Sequence, residues 1–244
     1  MSLSNPTAND PNPATRWFEW NGGKGVVRYY DKAAKENVTI DEPFTFVLLD
    51  ELSSIGGWHE PSKSGIFSNA IYDTTQDALV VKAFKGGTLA EGLYRSIKDR
   101  VVAAGGYFTA VKYIAYKGDD GEFQIGAIKL KGSGLGAWMD FSKGKKLYEM
   151  AIRIDGSTEK TTGGVLFHTP NFVEAPLAED TKQIAVALDV ELQAYLVAYL
   201  KRTTHDQTEQ HDAPPADDYV SEYDDTPDIV EQAASEFTDA DIPF

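Results

Sequence analysis

Aromatic and basic side chains stand next to each other at many points in the central part of this sequence. Lys112-Tyr113 and Tyr116-Lys117 are examples, and Arg28 precedes two tyrosines. This combination can bind an unpaired nucleic-acid strand, because cations neutralise phosphates and exposed rings stack on bases. Rings on strands more often belong to a core, so each residue is a hypothesis about exposure. The candidate nucleic-acid-binding residues are Trp20, Arg28, Tyr29, Trp58, Lys82, Phe84, Lys85, Lys112, Tyr113, Tyr116, Lys129, Lys131 and Trp138.

The last residues of the chain combine apolar and acidic groups in a way that suits capture by another protein. Phe244 carries both a ring and the terminal carboxylate, Ile242 adds a second apolar group, and Pro243 limits the conformations lost on docking. A basic-rimmed apolar pocket on a partner would bind this end, and the surrounding acids would speed the encounter. The candidate partner-binding residues are Asp239, Asp241, Ile242, Pro243 and Phe244.

The charge of the chain is divided unevenly along its length. The net charge is −15, but thirteen of the 38 acidic residues lie in 204–244, which holds no Lys or Arg. Between Lys63 and Lys146, thirteen basic residues face eight acidic ones. This division predicts a body that attracts an anion and an acidic tail with a separate role.

The patterning of the sequence predicts three regions. Residues 1–15 are polar and proline-rich and are expected to form a disordered lead, and 204–244 are expected to form a disordered acidic tail. The body, 16–203, is rich in Val, Ile, Phe, Tyr and Trp between glycine-containing turns, which predicts a mainly β domain. Two helices are predicted, at 88–103 with a Thr88/Glu91 capping box and at 180–201, the latter packing on the body or on a second subunit.

Two parts of the sequence resemble known families. The end, Asp241-Ile242-Pro243-Phe244, resembles the C-terminal tip of bacterial single-stranded DNA-binding proteins. The body, over about residues 25–200 and most clearly in 44–58 and 85–94, is similar to phage-encoded single-stranded DNA-binding proteins with an OB fold. The resemblance implies a Greek-key β-barrel with additional strands and two helices, DNA held in a basic and aromatic groove, and no catalysis.

A competing motif suggests a dinucleotide-binding oxidoreductase. Gly132, Gly134 and Ala137 fit the spacing of a dinucleotide-binding loop after a predicted strand, and Asp155 follows at the end of another. Only nine residues separate Ala137 from Leu147, which is short for a parallel crossover with a helix. A glycine-rich connection in a barrel, flexing near DNA, is the simpler interpretation.

Other classes of protein receive little support from the sequence. The chain has no cysteine, its four histidines are scattered, and neither a P-loop nor a nucleophile elbow is present, so no metal, cofactor or enzyme activity is expected. No continuous apolar run of membrane-spanning length and no secretory leader are seen, which favours the cytoplasm, that of the host cell for a phage protein. The expected role is to coat single-stranded DNA in replication, recombination or repair and to recruit partners. A strand-annealing recombination mediator remains an alternative, and self-association is left open.

Overall fold

The computed structural model describes residues 11–40 and 43–205, with side chains described up to Lys201, and this part of the chain is mainly β. The described residues form eleven strands and three α-helices. The strands are β1 Arg16–Asn21, β2 Val26–Asp31, β3 Glu36–Thr39, β4 Phe44–His59, β5 Ser64–Ser68, β6 Leu79–Ala83, β7 Gly87–Gly92, β8 Gly106–Lys117, β9 Phe123–Leu130, β10 Ala151–Thr162 and β11 Val165–Ala175. The helices are α1 Tyr94–Ala103, α2 Gly132–Ser142 and α3 Glu179–His205.

All eleven strands belong to one mixed sheet, in the order β3-β2-β1-β9-β8-β4-β5-β6-β7, with β10 pairing with β4 and β11. The pair β1/β9 is parallel and the other described pairs are antiparallel. The turn Asp119-Asp120-Gly121 joins β8 to β9 as predicted, and it suits a hairpin because Gly121 has a positive φ of 85°. The long strand β4 holds the sheet together, since its first residues pair with β10 and its last with β5.

The sheet curls around a first core but does not close into a barrel. Phe18, Phe46, Ile114, Ile128 and Ile152 are fully buried in this core, which the strands from β2 through β9, β8 and β4 to β10 enclose. Across the remaining gap the backbone N–H of His168 donates to the carbonyl of Gly22 at 2.7 Å, without a strand ladder. The mainly β prediction is confirmed. The predicted closure is wrong, because β10 pairs with β4 and β11, β11 pairs with β10, and neither pairs with β1 or β2.

The predicted helix at 88–103 is correct only in its second half. Thr88, Leu89 and Glu91 lie in β7, which pairs with β6, and the helix begins after Leu93. The capping box is therefore wrong. Leu89 packs in a second core with Ile97 and Val101 of α1, so the apolar spacing that suggested one helix is shared between a strand and a helix.

The glycine-rich stretch forms the helix α2. The described residues therefore contain three helices where two were predicted, and the predicted flexible connection is also wrong. A Cβ atom on Gly134 would lie 3.4 Å from Cδ1 of Trp20. This is an ordinary van der Waals distance, so α2 packs against Trp20 of β1 at this point. Trp138, further along the same helix, fills the first core from this side.

Helix α3 covers part of the opposite face of the sheet, as one of the two sequence interpretations expects. Leu192 and Leu196 are fully buried against Leu52, Val111 and Tyr113 in a third core. By length and composition alone, residues 179–201 could also span a membrane. This is weak evidence for a span, because core helices of folded proteins meet the same criteria. Packing against the sheet accounts for the buried side of this helix.

Residues 11–15, assigned to the disordered lead, are hydrogen-bonded to the body. Asn12 Nδ2 donates to Tyr113 Oη at 3.0 Å, and Thr15 Oγ1 donates to the carbonyl of Ile125 at 3.0 Å. These residues therefore contact the body, and the division of the chain into three regions stays a prediction. Most of the predicted lead and nearly all of the predicted tail lie outside the described residues.

Candidate nucleic-acid interface

The face of the sheet on which α3 packs is only partly covered by that helix. Along β4, Leu52 lies under α3, while Gly56 and Trp58 follow on the same face at intervals of two residues. Along β8, Val111 is covered in the same way and Tyr107 is half-buried beyond the helix. The end of the sheet formed by β4 to β8 therefore presents an open surface.

Strand register aligns ring and cation side chains on this open surface. Lys82 pairs with Phe67, Phe67 pairs with Gly56, and Gly56 pairs with Tyr107, so four neighbouring strands contribute one row. Directly paired residues on one face have Cβ atoms about 4.5–5.5 Å apart. The row therefore places a lysine and two rings side by side, with a glycine between the rings.

A second row lies two residues further along the strands. Trp58 pairs with Gly65, and the backbone N–H of Phe84 donates to the carbonyl of Gly65 at 3.0 Å. The glycine leaves the space between the indole and the Phe84 ring without a third side chain, and the Phe84 ring is about half exposed. Trp58 and Gly65 lie on the same face as the first row because they are two residues from Gly56 and Phe67 on their strands. Phe84 follows in the turn after β6.

Lys131 completes the group of cations at this surface. Its Nζ lies 4.0 Å from the centroid of the Tyr107 ring, a cation–π distance. We call Trp58, Phe67, Lys82, Phe84, Tyr107 and Lys131 the ring-and-cation face. Lys85 is exposed beside it, with its backbone N–H bound to Ser64 Oγ at 3.0 Å.

A second cation–ring pair continues the face across β9 and β1. Lys129 Nζ lies 4.7 Å from the centroid of the Trp17 ring, and Lys129 is two residues from Lys131 on the same side of the chain. Lys129 also lies opposite Glu19 in the parallel register, so this extension is less basic than the ring-and-cation face.

A buried hydroxyl group lies at the base of the face. Thr109 is buried, and its Oγ1 has no hydrogen-bond partner among the described residues. It lies 3.5 Å from the position that a Cβ on Gly56 would occupy, next to the Tyr107 ring at 3.3 Å. An unsatisfied buried hydroxyl costs roughly 1–3 kcal/mol, so a polar atom of water or of a ligand reaching this point would be stabilised.

Five of the predicted contact residues are core residues, which corrects their assignment to a groove. These residues are Trp20, Lys112, Tyr113, Tyr116 and Trp138. A base cannot stack on a ring that the fold has already enclosed on both sides. Burial also raises the pKa of the Tyr113 phenol, as expected for a hydroxyl away from water.

The buried Lys112 is part of a structural cluster. Its Nζ lies 2.5 Å from Glu51 Oε1 and 5.0 Å from the centroid of the Trp138 ring, and Trp138 Nε1 donates to the same Glu51 oxygen at 2.9 Å. Desolvation lowers the pKa of Lys112, and the charge of Glu51 opposes this shift. The Lys112 ammonium group is therefore paired with the Glu51 carboxylate of the same chain.

Arg28 and Tyr29 are also engaged within the sheet. Arg28 Nε donates to Glu19 Oε1 at 2.6 Å, and the Tyr29 ring packs edge-on against Phe18 with the Arg16 guanidinium 4.5 Å from its centroid. Of the predicted residues, the structure brings together Trp58, Lys82, Phe84 and Lys131, with Lys85 and Lys129 beside them. The tail residues Asp239, Asp241, Ile242, Pro243 and Phe244 lie outside the described residues.

Three rings of this surface are absent from the candidates selected from the sequence, two in the ring-and-cation face and one in its extension across β9 and β1. Phe67, Tyr107 and Trp17 lie on three different strands and owe their place to pairing between segments far apart in the chain. Trp17 stands in the aromatic run at 17–20, which is a usable signal. Phe67 and Tyr107 have no local sequence feature that distinguishes them from core residues.

The backbone of Trp58 lies close against the backbone of Gly105. Its N–H donates to the carbonyl of Gly105 at 3.1 Å, and a Cβ on Gly105 would lie 2.3 Å from the carbonyl oxygen of Trp58. Gly105 also has a φ of +89°, which side-chain-bearing residues rarely adopt. This turn therefore tolerates only glycine.

We expect Gly105→Ala to lower the free energy of unfolding by at least about 2 kcal/mol, because a backbone clash adds to a positive-φ cost of about 1–2 kcal/mol. Gly87→Ala is the matched control, since Gly87 has a φ of +72° but nothing within 4 Å of its added Cβ. Urea unfolding of both variants measures the difference. Equal losses would show that the contact with Trp58 is not tight in solution.

The motif that suggests dinucleotide binding lacks the required surroundings. Gly132, Gly134 and Ala137 lie within α2, and the next strand, β10, pairs antiparallel with β4 and β11. A dinucleotide site needs a parallel strand–helix–strand unit around the glycines. In the part of the chain that the structure describes, no group of three or more His, Asp or Glu side chains is placed to hold a metal ion.

Comparison with known proteins adds no relative to this description. No family model, no curated protein and no solved structure matches the chain.

Proposed function

We propose that this protein binds single-stranded DNA on the ring-and-cation face and performs no catalysis there. The observation that carries the proposal is the grouping of four rings and two lysines on one open part of the sheet. Strand register aligns three of the rings and Lys82, while Phe84 and Lys131 join them through a backbone hydrogen bond and a cation–π contact. Gly65 leaves the position between Trp58 and Phe84 without a third side chain, whereas the Tyr107 ring lies close over Gly56. Stacking on such rings is worth about 1–3 kcal/mol per base without strong sequence preference.

The cation–π pair explains how the face would change from its unbound to its bound state. Without DNA, Lys131 Nζ lies over the Tyr107 ring. A phosphate would draw the ammonium group off the ring, because a full negative charge attracts it more strongly than the ring quadrupole. The ring could then stack on the base beside that phosphate.

The resemblance to phage single-stranded DNA-binding proteins extends this proposal. The curled sheet around the first core would be an OB-like barrel left open between β11 and β1, with one hydrogen bond from His168 to Gly22 across the gap. The chain would coat and protect DNA in the host cytoplasm during replication, recombination or repair. The acidic end, with Phe244 at its tip, would recruit partner proteins.

Titration of the full chain with oligo-dT tests the proposal. We expect quenching of tryptophan fluorescence, with an affinity that falls linearly on a log–log plot as salt rises, because phosphate contacts release counterions. Absence of binding at low ionic strength, even after removal of residues 206–244, would overturn the proposal. Faster annealing of complementary strands would indicate a recombination mediator, and a response to NAD without one to DNA would indicate an oxidoreductase.

Substitution of single tryptophans locates the site. Trp58→Phe keeps a ring on the face but removes its fluorophore, so quenching should fall while the affinity measured by anisotropy of labelled DNA changes little. Trp138→Phe, in the buried core, is the matched control and should keep the quenching. If the two variants lost quenching equally, DNA would not lie on Trp58.

A further inference from the structure

Helix α3 carries two apolar stripes, and only one of them is used by the sheet. Leu188, Leu192 and Leu196 pack in the third core. On the outer side, Val186, Val190 and Val197 are 57%, 67% and 51% exposed. Their spacings of four and seven residues place them in one line along the helix. A helix that is apolar on both sides normally has partners on both sides.

The outer stripe stands out against the rest of the described surface. Of the nine exposed large hydrophobic residues in the described chain, four lie on α3, with Ile184 as the fourth. Single exposed apolar residues are ordinary, whereas a continuous apolar line marks an association surface. The stripe is separate from the ring-and-cation face, which lies beyond the helix on the sheet.

The ends of the stripe carry opposite charges. Glu179 lies seven residues before Val186, and Lys201 lies four residues after Val197, so both exposed side chains continue the same line, with the exposed Lys182 on the flank beside Glu179. Two copies of the helix in antiparallel orientation would place each Glu179 against the Lys201 of the other copy. Antiparallel helices also bring opposite ends of their dipoles together.

We propose that two copies of this chain pair through the outer stripe of α3 in antiparallel orientation. A two-fold interface uses one self-complementary patch on both copies, and this stripe has an apolar middle with an acidic and a basic end. Val190 lies midway between residues 179 and 201 and therefore sits on the two-fold axis. A lipid surface would not account for the opposite charges at the two ends.

The absence of cysteine from the sequence makes a cross-linking test specific. We expect Val190→Cys to give a disulfide-linked dimer on mild oxidation, because residue 190 meets its own copy. Val186→Cys should not form this disulfide. In the antiparallel pair, residue 186 of one copy is displaced by eight residues from residue 186 of the other. At 1.5 Å per residue this is about 12 Å along the helix axis, which is beyond the reach of a disulfide. Cross-linking of both variants would indicate a parallel pair, and cross-linking of neither would overturn the proposal.

Charge exchange gives a second, independent readout in the full chain. Glu179→Lys and Lys201→Glu should each weaken the dimer in sedimentation equilibrium, and the double variant should restore it. Val190→Glu should give a monomer, while Val102→Glu, at a valine on α1 that is 59% exposed, should not. A wild-type monomer in buffer that co-sediments with phospholipid vesicles through the same stripe would also overturn the proposal.

Discussion

Loss of two rings from the ring-and-cation face should reduce the affinity for oligo-dT by at least about 30-fold. Phe67 and Tyr107 both pair with Gly56 in one row, so the double variant Phe67→Ala/Tyr107→Ala removes both platforms of that row. Each platform is expected to contribute about 1–3 kcal/mol per base, and a combined loss of about 2 kcal/mol already lowers the affinity about 30-fold. Anisotropy of labelled DNA measures the change.

The salt dependence of binding separates the rings from the cations. The ring variant keeps Lys82 and Lys131, so the slope of log affinity against log salt should stay the same. Lys82→Ala/Lys131→Ala should lower the magnitude of the slope by about 1.4, since each phosphate contact contributes about 0.7 on a single strand.

A ring outside the face supplies the control. Tyr148→Ala removes an exposed ring from the turn before β10 and should leave both affinity and slope unchanged. Circular dichroism verifies that each variant is folded. An affinity unchanged in the folded ring variant would remove the ring-and-cation face as the DNA site.

The sequence predicts the class of the fold well because the relevant signals are local. Alternation of apolar and polar residues with turn residues indicates strands, and the hairpin at 119–121 and the helix near 180 follow from short segments. The segment 88–103 fails because apolar residues every four positions satisfy both a strand and a helix when the chain changes from one to the other at Leu93.

Closure of the sheet and composition of the face depend on long-range pairing. β10 joins the sheet through β4, more than a hundred residues earlier in the chain, and the curl is left open because β11 pairs with β10 and not with β1 or β2. Tyr107 joins Phe67 on one surface only through β4, which pairs with both β5 and β8. Sequence interpretation of single segments cannot give this register.

Lys112 and Tyr113 show why a ring beside a cation is an ambiguous signal. In this fold the two residues point to opposite faces of β8, and both are buried. Lys112 binds Glu51, while Tyr113 packs under α3. A lysine next to a tyrosine on an exposed strand could contact DNA. Burial, which depends on the whole fold, therefore decides whether such a pair is structural or binds a ligand.

Trp138→Ala should lower the free energy of unfolding by about 3–5 kcal/mol, the range for loss of a buried tryptophan. The ring contacts Phe46 and Phe172 at centroid distances of 6.5 and 5.2 Å, and its Nε1 donates to Glu51. Its loss opens a cavity beside the Glu51–Lys112 ion pair, where water would have to replace the indole. Urea unfolding measures the effect.

Trp58→Ala is the variant with which Trp138→Ala is compared, in both stability and DNA binding. Trp58 is half-buried on the open face, so its loss should weaken binding of oligo-dT while costing much less stability than the loss of Trp138. Trp138→Ala, studied at a temperature where it remains folded, should bind DNA with nearly wild-type affinity because its ring is enclosed. The opposite assignment, with Trp138 needed for binding and Trp58 for stability, would mean that the sheet presents its other face to the strand.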